Sequence, residues 1–317
     1  MTTCDIKCKL KLPKLSIEPL DNIITIDRVD YILYRNDIRG NKGGNSWIYF
    51  LYAIGDIENI EDSDNLPETP DMVVKINKYC INNNSSNAIK RNNRFEQEIK
   101  ALYNCRSKPY VIDIYHNGII EDSTGNEWKY YSMEFAEYDL KGFMKSKENL
   151  STSERIAICI KLTQALNDLY TAGYYHRDIK PDNFFLTMYK EWKIGDLGLV
   201  EERNKENEID DPQEFIGPRG WTSPEVMNKV LTDKNCKRFD RTIDDKSDIF
   251  QLGMVFWYVM QGNAPIGCIM EKDFLENNHE LYMLIRTMIS HDKRLRPQTF
   301  DDIIYKLNQI ADKYLLS

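Results

Sequence analysis

The sequence lacks paired cysteines, long apolar runs and an excess of positive charge. Its seven cysteines form no C-x-x-C pair, and no second pair at ligand spacing accompanies Cys4 and Cys8. We therefore expect reduced thiols in a cytoplasmic protein rather than a disulfide framework or a zinc site. The longest apolar run, around residues 254–260, is too short to span a bilayer, so no membrane segment is expected. With 42 basic and 50 acidic side chains, the net charge of −8 does not favour nucleic acid as a partner.

The first third of the chain has the pattern of a β-sheet with one helix. Apolar and aromatic runs from 29 to 55 surround a Gly/Asn-rich break at 40–45, which predicts two strands and a turn. Further strands are predicted at 72–76, 111–115 and 129–135. Within 88–105, Phe95, Ile99 and Leu102 recur at the spacing of a helix that packs one face.

Helical patterns dominate after residue 136. The spacing predicts a helix over 152–170, with Ser151 or Ser153 as its N-cap. A second helix is predicted over about 245–260, and we expect it to be buried because residues 254–260 are apolar nearly all round. The 317 residues suffice for two domains or one large two-lobed unit. We place the domain seam near 136, and residues 1–28 form an N-terminal extension.

The strongest chemical signal is one eight-residue run with further short motifs behind it. The run reads His176-Arg177-Asp178-Ile179-Lys180-Pro181-Asp182-Asn183. The later motifs are Ile194-Gly195-Asp196-Leu197-Gly198, Ser223-Pro224-Glu225, Asp248-Ile249-Phe250-Gln251-Leu252-Gly253 and Arg296-Pro297. In this order the chain resembles the eukaryotic protein kinase family over about residues 29–314. The resemblance implies an α+β, bilobal protein-kinase-like fold. Its small, mainly β N-lobe (29–135) binds ATP, and its larger, mainly α C-lobe (136–317) carries catalysis and substrate binding.

Phosphoryl transfer explains the residue types in these motifs. A carboxylate must orient the attacking hydroxyl and accept its proton, and the resemblance gives this role to Asp178. Oxygen ligands suit the hard cation Mg²⁺, which matches Asn183 and Asp196. Lys180 is placed to neutralise charge on the transferring phosphoryl group.

In the first lobe the resemblance implies the nucleotide contacts. Lys75, within Val73-Val74-Lys75-Ile76, matches the lysine that holds the ATP phosphates. Glu98 is preferred to Glu96 as its partner because Ile99 and Leu102 follow it in the family's step. The sequence Met133-Glu134-Phe135-Ala136 resembles the hinge, so Glu134 and Ala136 offer backbone groups to adenine and Met133 sets the depth of the pocket. Asp139 is a candidate for the ribose.

The glycine-rich loop departs from the family pattern. Gly43 and Gly44 fit it only if Ser46 stands at the third glycine, with Ile48 at the apolar position that follows. Backbone N–H groups must approach the phosphates there, so we expect the departure to weaken nucleotide affinity without removing the chemistry. A Gly/Asn turn with no ligand is the alternative interpretation.

Several other residues are interpreted as structural. Glu225 and Arg296 match a buried ion pair of the second lobe, and Asp248 matches the residue that props the backbone of the catalytic loop. Leu197 replaces the aromatic residue of the D-F-G motif, a change of volume that an apolar pocket tolerates.

The stretch between Asp196 and Trp221 contains no Ser, Thr or Tyr, so phosphorylation within it is chemically excluded. In members of the family that are activated by phosphorylation of this stretch, the phosphate pairs with the arginine beside the catalytic aspartate. Here we expect a carboxylate to take the place of that phosphate and to pair with Arg177. The stretch carries seven carboxylates, of which the preferred candidates are Glu208, Asp210, Asp211 and Glu214, and the others are Glu201, Glu202 and Glu206. A solvated acidic loop is the alternative.

Substrate class is the point on which the sequence is divided. Lys180 is typical of serine/threonine kinases, whereas Pro218 and Trp221 resemble the substrate loop of tyrosine kinases. We give more weight to Lys180 because it lies at the chemistry, and predict transfer to Ser/Thr of protein substrates. The alternatives are a tyrosine or dual-specificity kinase, a pseudokinase-type ATP-binding scaffold, and a small-molecule kinase of the aminoglycoside or choline type.

Overall fold

The chain divides into two compact units, Met1–Ile99 with Asp113–Phe135, and Lys100–Ile112 with Ala136–Ser317. The computed structural model describes residues 10–35, 44–56, 66–147, 149–203, 210, 214–231 and 239–315. In these ranges no helix has the length and apolar character needed to cross a membrane.

The first unit is built on a six-stranded antiparallel sheet. Its strands are β1 (Ile23–Ile26), β2 (Val29–Arg35), β3 (Ser46–Ala53), β4 (Met72–Asn77), β5 (Ile114–Glu121) and β6 (Glu127–Met133). Their order across the sheet is β1-β2-β3-β4-β6-β5. The two strands predicted around the Gly/Asn-rich break are confirmed as β2 and β3, in which Tyr34 lies opposite Phe50. Residues 36–43, which include the first four positions of the break at 40–45, lie outside the described residues.

The strand predicted at 111–115 was misplaced. The backbone before Asp113 forms hydrogen bonds with Ile194 instead of with the six-stranded sheet. The Ile112 amide donates to the Ile194 carbonyl, and the Ile194 amide donates to the Tyr110 carbonyl. Val111 therefore forms only an isolated bridge with Ile194, and β5 begins at Ile114. An apolar run on its own does not show which strand it will pair with.

Residues before β1 contribute to the core of the first unit. Leu10 is 0% exposed and Leu12 7% exposed, within an apolar cluster that includes Tyr49. The Tyr49 hydroxyl donates to the Pro13 carbonyl at 3.1 Å. The Ser123 amide donates to the Leu10 carbonyl at 2.8 Å. Leu10 and Leu12, within the segment predicted as an N-terminal extension, are therefore part of the core of this unit.

The helix predicted over 88–105 is confirmed as α1 (Ser86–Asn104). Phe95 and Leu102 are buried on one face, and Glu98 is buried among them. A buried carboxylate on an apolar helix face needs a partner, and that partner lies on β4, as described below.

The second unit is mainly helical, as predicted. Its helices are α2 (Leu140–Ser146), α3 (Thr152–Thr171), α4 (Pro224–Leu231), α5 (Asp245–Gln261), α6 (His279–Met288) and α7 (Phe300–Leu315). Ser151, one of the two predicted caps, begins α3 with a capping box in which its hydroxyl accepts from the Glu154 amide. Helix α5 is buried along most of its length, as its apolar pattern predicted. Gly262, at φ 78°, ends it in a left-handed cap.

Short strands frame the loops that carry the chemical motifs. They are β7 (Ala136–Asp139), β8 (Tyr174–Tyr175), β9 (Phe184–Thr187), β10 (Trp192–Ile194) and β11 (Glu201–Glu202). The eight-residue run 176–183 connects β8 to β9, and Asp196 is the second residue after β10. Strands β9 and β10 form an antiparallel pair, and β11 pairs with β8. Both ends of the run are therefore tied to neighbouring strands.

Candidate active site

Lys75 and Glu98 form a buried ion pair in the first unit. Lys75 on β4 lies 2.7 Å from Glu98 Oε1 on α1, and the two side chains are 10% and 2% exposed. The Tyr131 hydroxyl on β6 also donates to Glu98 Oε1, at 2.9 Å. The alternative carboxylate, Glu96, is exposed and pairs with Lys129. The choice of Glu98 as the partner of Lys75 is confirmed, and the binding of phosphates by Lys75 stays a prediction.

The glycine-rich segment is described only in part. Gly43 lies outside the described residues, and Gly44 is followed by Ser46 at the start of β3. Ile48 lies directly opposite Lys75 in the register of β3 and β4. Opposite residues in an antiparallel pair share a face of the sheet, so Ile48 and Lys75 lie on the same face. A β-carbon on Gly44 would meet nothing within 4 Å, so packing within the protein does not require glycine there.

The predicted hinge residues lie where β6 ends and β7 begins. Met133 is the last residue of β6, and Ala136 is the first of β7. The Glu134 side chain accepts from the Asp113 amide at 2.8 Å, and the Glu134 amide donates to the Asp113 carbonyl at 3.0 Å. Asp139 has a structural contact that sequence reasoning missed, because its Oδ1 accepts from the Gly142 amide at 2.6 Å and caps α2.

The loop between β8 and β9 brings together the two predicted catalytic residues, Asp178 and Lys180, and the predicted metal ligand Asn183. Lys180 Nζ lies 2.8 Å from Asp178 Oδ2. The side-chain Nδ2 of Asn183 donates to the Asp178 backbone carbonyl at 2.7 Å and to Asp178 Oδ2 at 3.0 Å. Lys180 and Asn183 therefore fix the Asp178 carboxylate. Because the Asp178 side chain is only 12% exposed, little water competes with these two contacts.

Burial and charge shift the protonation equilibria of this loop. Burial, with the nearby charge of Asp196, raises the pKa of Asp178 although Lys180 opposes the shift. Burial opposes a shift at Lys180, but the carboxylates of Asp178 and Asp196 raise its pKa overall. Burial lowers the pKa of His176, whose ring contacts the Gly195 carbonyl at 3.1 Å. Asp178 and Lys180 thus favour each other's charged form, and His176 is neutral.

Asp196 belongs electrostatically to the same cluster. It has a left-handed backbone at φ 54°, two residues after the end of β10. The Gly195 amide donates to the Asn183 carbonyl at 3.0 Å, which ties the Asp196 segment to the loop. Leu197, at the position of the family's aromatic residue, is 0% exposed, so the smaller apolar side chain is packed as expected.

The donor set fits a magnesium ion that is shared with a phosphate ligand. The Asn183 NH₂ group is directed at Asp178, which leaves the amide oxygen as the atom that could face a cation. Asp196 adds a carboxylate. Within the described ranges no cluster of three or more His, Cys, Asp or Glu side chains could hold a metal alone. Two protein oxygens completed by phosphate and water are typical of Mg²⁺.

Two predicted structural contacts are confirmed in the second unit. Asp248 on α5 accepts from the His176 and Arg177 amides at 2.8 Å and 2.9 Å. Burial raises the pKa of Asp248 to about 7, against these two amide hydrogen bonds, which lower it. Arg296 lies 2.7 Å from Glu225, with side chains 0% and 2% exposed.

Arg177 has two carboxylate partners in the segment after Asp196. Asp210 lies 2.8 Å from its Nη2, with side chains 6% and 3% exposed, which confirms one of the four predicted candidates. Glu208 and Asp211 lie outside the described residues. Glu201, a carboxylate of the same stretch outside the four preferred candidates, also contacts Arg177, and its Oε2 lies 3.0 Å from Nη1. The pairing of β11 with β8, which places Glu201 opposite Tyr175 just before the loop, has no signature in the sequence.

Comparisons with known proteins agree with this arrangement. The chain is 29% identical over 187 residues to a membrane-associated tyrosine- and threonine-specific cdc2-inhibitory kinase of Caenorhabditis elegans, covering 54% of this chain and 25% of that protein. It is 27% identical over 234 residues to a probable serine/threonine-protein kinase of Clostridium perfringens, covering 68% of this chain and 32% of that protein. A serine/threonine-protein kinase of Mycobacterium leprae is 26% identical over 158 residues, covering 50% of this chain and 24% of that protein.

These alignments therefore span between about a quarter and a third of each relative's length. The family model described as protein kinase domain matches residues 72–315, which include Lys75, Glu98 and all the landmarks from Asp178 to Arg296. A sheet-based N-terminal region, a helical C-terminal region and this match lead to one conclusion: the chain belongs to the protein kinase family.

Proposed function

We propose that the protein transfers the γ-phosphoryl group of ATP to serine and threonine hydroxyls of protein substrates. The observation that carries the proposal is the buried Asp178 carboxylate, held by Lys180 and Asn183. In this proposal Asp178 orients the hydroxyl and accepts its proton. Burial raises the pKa of Asp178, which makes the carboxylate a better proton acceptor than an exposed aspartate.

In the proposed reaction one bond to the γ-phosphorus forms while another breaks, and residues of the second unit take up the proton and stabilise the charge. The substrate oxygen forms a bond to the γ-phosphorus while the bond from that phosphorus to the ADP oxygen breaks. The hydroxyl proton passes to Asp178. Lys180 stabilises negative charge on the phosphoryl group, because its ammonium is already fixed beside the acceptor carboxylate.

The remaining assignments concern ATP and Mg²⁺. Asn183 and Asp196 would hold the cation, which when bound shields the phosphate charge that would otherwise repel the nucleophile. Lys75, fixed by Glu98, would hold the phosphates of ATP. The other proposed ATP contacts are Gly43, Gly44, Ser46, Ile48, Met133, Glu134, Ala136 and Asp139.

We also propose that the family's two-lobe division applies. Residues 29–135 would form the ATP-binding lobe and residues 136–317 the catalytic and substrate-binding lobe. The buried pair of Lys75 and Glu98 supports the first assignment, and the loop around Asp178 supports the second.

Serine/threonine specificity rests on Lys180 and its contact with Asp178. The segment 218–222, whose sequence favours tyrosine as the acceptor, makes contacts within the protein. The Thr222 hydroxyl donates to the Pro218 carbonyl at 2.9 Å, and the Trp221 ring lies 5.9 Å from the Tyr258 ring. Phosphoamino-acid analysis of a mixed protein substrate labelled by the purified protein tests the proposal. Phosphoserine and phosphothreonine are expected, and mainly phosphotyrosine would reverse the assignment.

A pseudokinase scaffold is the second candidate, favoured by the irregular glycine-rich loop. It predicts ATP binding without transfer to any protein. A preparation that binds ATP with Mg²⁺ but labels no substrate would favour the scaffold. Labelling that disappears in Asp178→Asn would exclude it.

The cysteines support a proposal about compartment. Cys80, Cys105, Cys159 and Cys268 are free, and burial raises the pKa of Cys105 to about 11. We propose a reducing, cytoplasmic setting. Alkylation of the freshly isolated protein at all seven cysteines after denaturation without reductant supports this setting, and protected pairs would contradict it.

A further inference from the structure

The backbone amides of the catalytic loop are satisfied one by one from 176 to 179. The His176 and Arg177 amides donate to the two oxygens of Asp248. The Asp178 amide donates to His176 Nδ1 at 3.2 Å. The Ile179 amide donates to Gln251 Oε1 at 2.9 Å. Four consecutive buried donors therefore have assigned acceptors, and the fourth acceptor is a side chain that the proposed chemistry does not use.

Gln251 lies on the same face of α5 as Asp248, three residues further along the helix. It is 1% exposed, and Ile179 is 0% exposed, so water does not compete for this hydrogen bond. Only the oxygen of the glutamine amide can accept, which fixes the orientation of the Gln251 head group. Loss of this acceptor would leave a buried N–H group without a partner.

The hydrogen bond acts on the peptide group that follows Asp178. That group consists of the Asp178 carbonyl and the Ile179 amide. Asn183 Nδ2 donates to the carbonyl at 2.7 Å, and Gln251 accepts from the amide at 2.9 Å. The peptide plane is therefore held at both edges, which fixes the direction in which the Asp178 side chain leaves the backbone.

Gln251 also lies against the segment that precedes Pro218. Gly217 has φ 138°, and a β-carbon on it would lie 3.6 Å from Gln251 Nε2 and 3.5 Å from the Arg177 carbonyl oxygen. The Gln251 head group and the Arg177 carbonyl therefore both lie next to the Gly217 backbone.

We infer that Gln251 is a positioning residue for Asp178, acting through the peptide group between Asp178 and Ile179. The inference rests on the proposed function, since it assigns Gln251 to the orientation of the proposed base. Asp248 holds the first half of the loop, and Gln251 holds the half that contains the base.

Three variants of the full chain test this role. Gln251→Met keeps the length of the side chain and removes the acceptor. Gln251→Glu keeps an oxygen acceptor. Val259→Ala is the matched control, because Val259 is 0% exposed on the same helix and has no part in the loop. Melting temperature, kcat and KM for ATP are measured for each.

The positioning role predicts a separation of kcat from KM. Gln251→Met lowers kcat by about ten- to a hundredfold with KM for ATP changed by less than about twofold, because only the base is displaced. Gln251→Glu recovers most of the lost kcat. Val259→Ala lowers the melting temperature with kcat close to that of the wild type. Equal kcat in Gln251→Met and Val259→Ala would overturn the inference.

Hydrogen exchange at the Ile179 amide, resolved by NMR, separates this inference from the proposed function. Exchange is expected to accelerate in Gln251→Met and to stay slow in Val259→Ala. If the wild type transfers no phosphate, the proposed function fails. The exchange rate then decides the contact alone, and unchanged exchange in Gln251→Met contradicts it.

Discussion

The two units each contain a buried pair of a cation and a carboxylate, and the two pairs differ in how the cation is used. Lys75 and Glu98 in the first unit are 2.7 Å apart, and Arg177 and Asp210 in the second are 2.8 Å apart. Lysine is a compact point charge, whereas the arginine fork directs several donors in fixed directions. The Arg177 fork contacts Asp210, Glu201 and the Leu199 carbonyl, all within the protein.

Arg177 is suited to holding a chain segment, whereas Lys75 is suited to binding a ligand. Three internal acceptors commit the Arg177 guanidinium to the segment after Asp196, so its role is to order that segment. Lys75 is fixed by Glu98 on α1, with the Tyr131 hydroxyl supporting the same carboxylate oxygen. A fixed point charge suits a phosphate ligand, which is the proposed role of Lys75.

Loss of the Lys75 charge is expected to have the largest effect among the two pairs. Lys75→Met removes the proposed phosphate contact and leaves Glu98 buried beside an apolar side chain, so kcat/KM for ATP falls by about a hundredfold or more. The measurement is steady-state kinetics with varied ATP.

Lys129→Met is the control for this prediction. Its partner Glu96 is 58% exposed, so the pair contributes little and kinetics stay near those of the wild type. Equal losses in the two variants would show that any change of charge in this unit lowers activity, and the special role of Lys75 would be lost.

Removal of the Arg177 partners is expected to have an intermediate effect. The double variant Glu201→Gln, Asp210→Asn keeps the shapes of the side chains and removes both charges, so turnover falls about tenfold as the segment loses its anchor. Glu202→Gln is the control, because its pair with Lys100 is largely exposed, with side chains 57% and 41% accessible.

The same anchor predicts activity without an upstream kinase. Wild-type protein made in bacteria and treated with phosphatase is expected to be active at once, since Asp210 and Glu201 already provide the negative charge. Inert material that gains activity on phosphorylation of Thr222, or of a residue in the first unit, would contradict this prediction.

The packing of Leu10 predicts a loss of stability with little effect on turnover. Leu10→Ala removes a fully buried side chain and lowers the free energy of unfolding by about 2–4 kcal/mol, measured by urea denaturation. Ile17→Ala is the control in the same segment, because Ile17 is 98% exposed and its truncation is expected to leave stability unchanged. Equal stability of the two variants would mean that Leu10 does not contribute to the core.

The sequence predicted what contiguous motifs and helical spacing can specify. Asp178, Lys180 and Asn183 contact one another within the run from His176 to Asn183, and Ser151 caps α3 by a similarly local rule. Lys75 with Glu98 was found because each lies in its own motif. These features depend on local chemistry, which the order of residues records.

Partners across long sequence separations were harder to predict. Glu201 reaches Arg177 through the pairing of β11 with β8, and Gln251 reaches Ile179 across 72 positions. The strand at 111–115 was misplaced because Val111 and Ile112 pair with Ile194 instead. Strand partners depend on tertiary contacts that periodicity does not encode.

Transfer of radiolabelled phosphate from ATP with Mg²⁺ to a mixed protein substrate, compared between the wild type and Asp178→Asn, tests the central claim most directly. Asp301→Asn, the same chemical change on the exposed face of α7, is the control. The account predicts that Asp178→Asn lowers turnover by about 10²–10⁴-fold while ATP affinity changes by less than about twofold, because the phosphate and metal contacts remain. Asp178→Asn with the turnover of the wild type would contradict the assignment of Asp178 as the base.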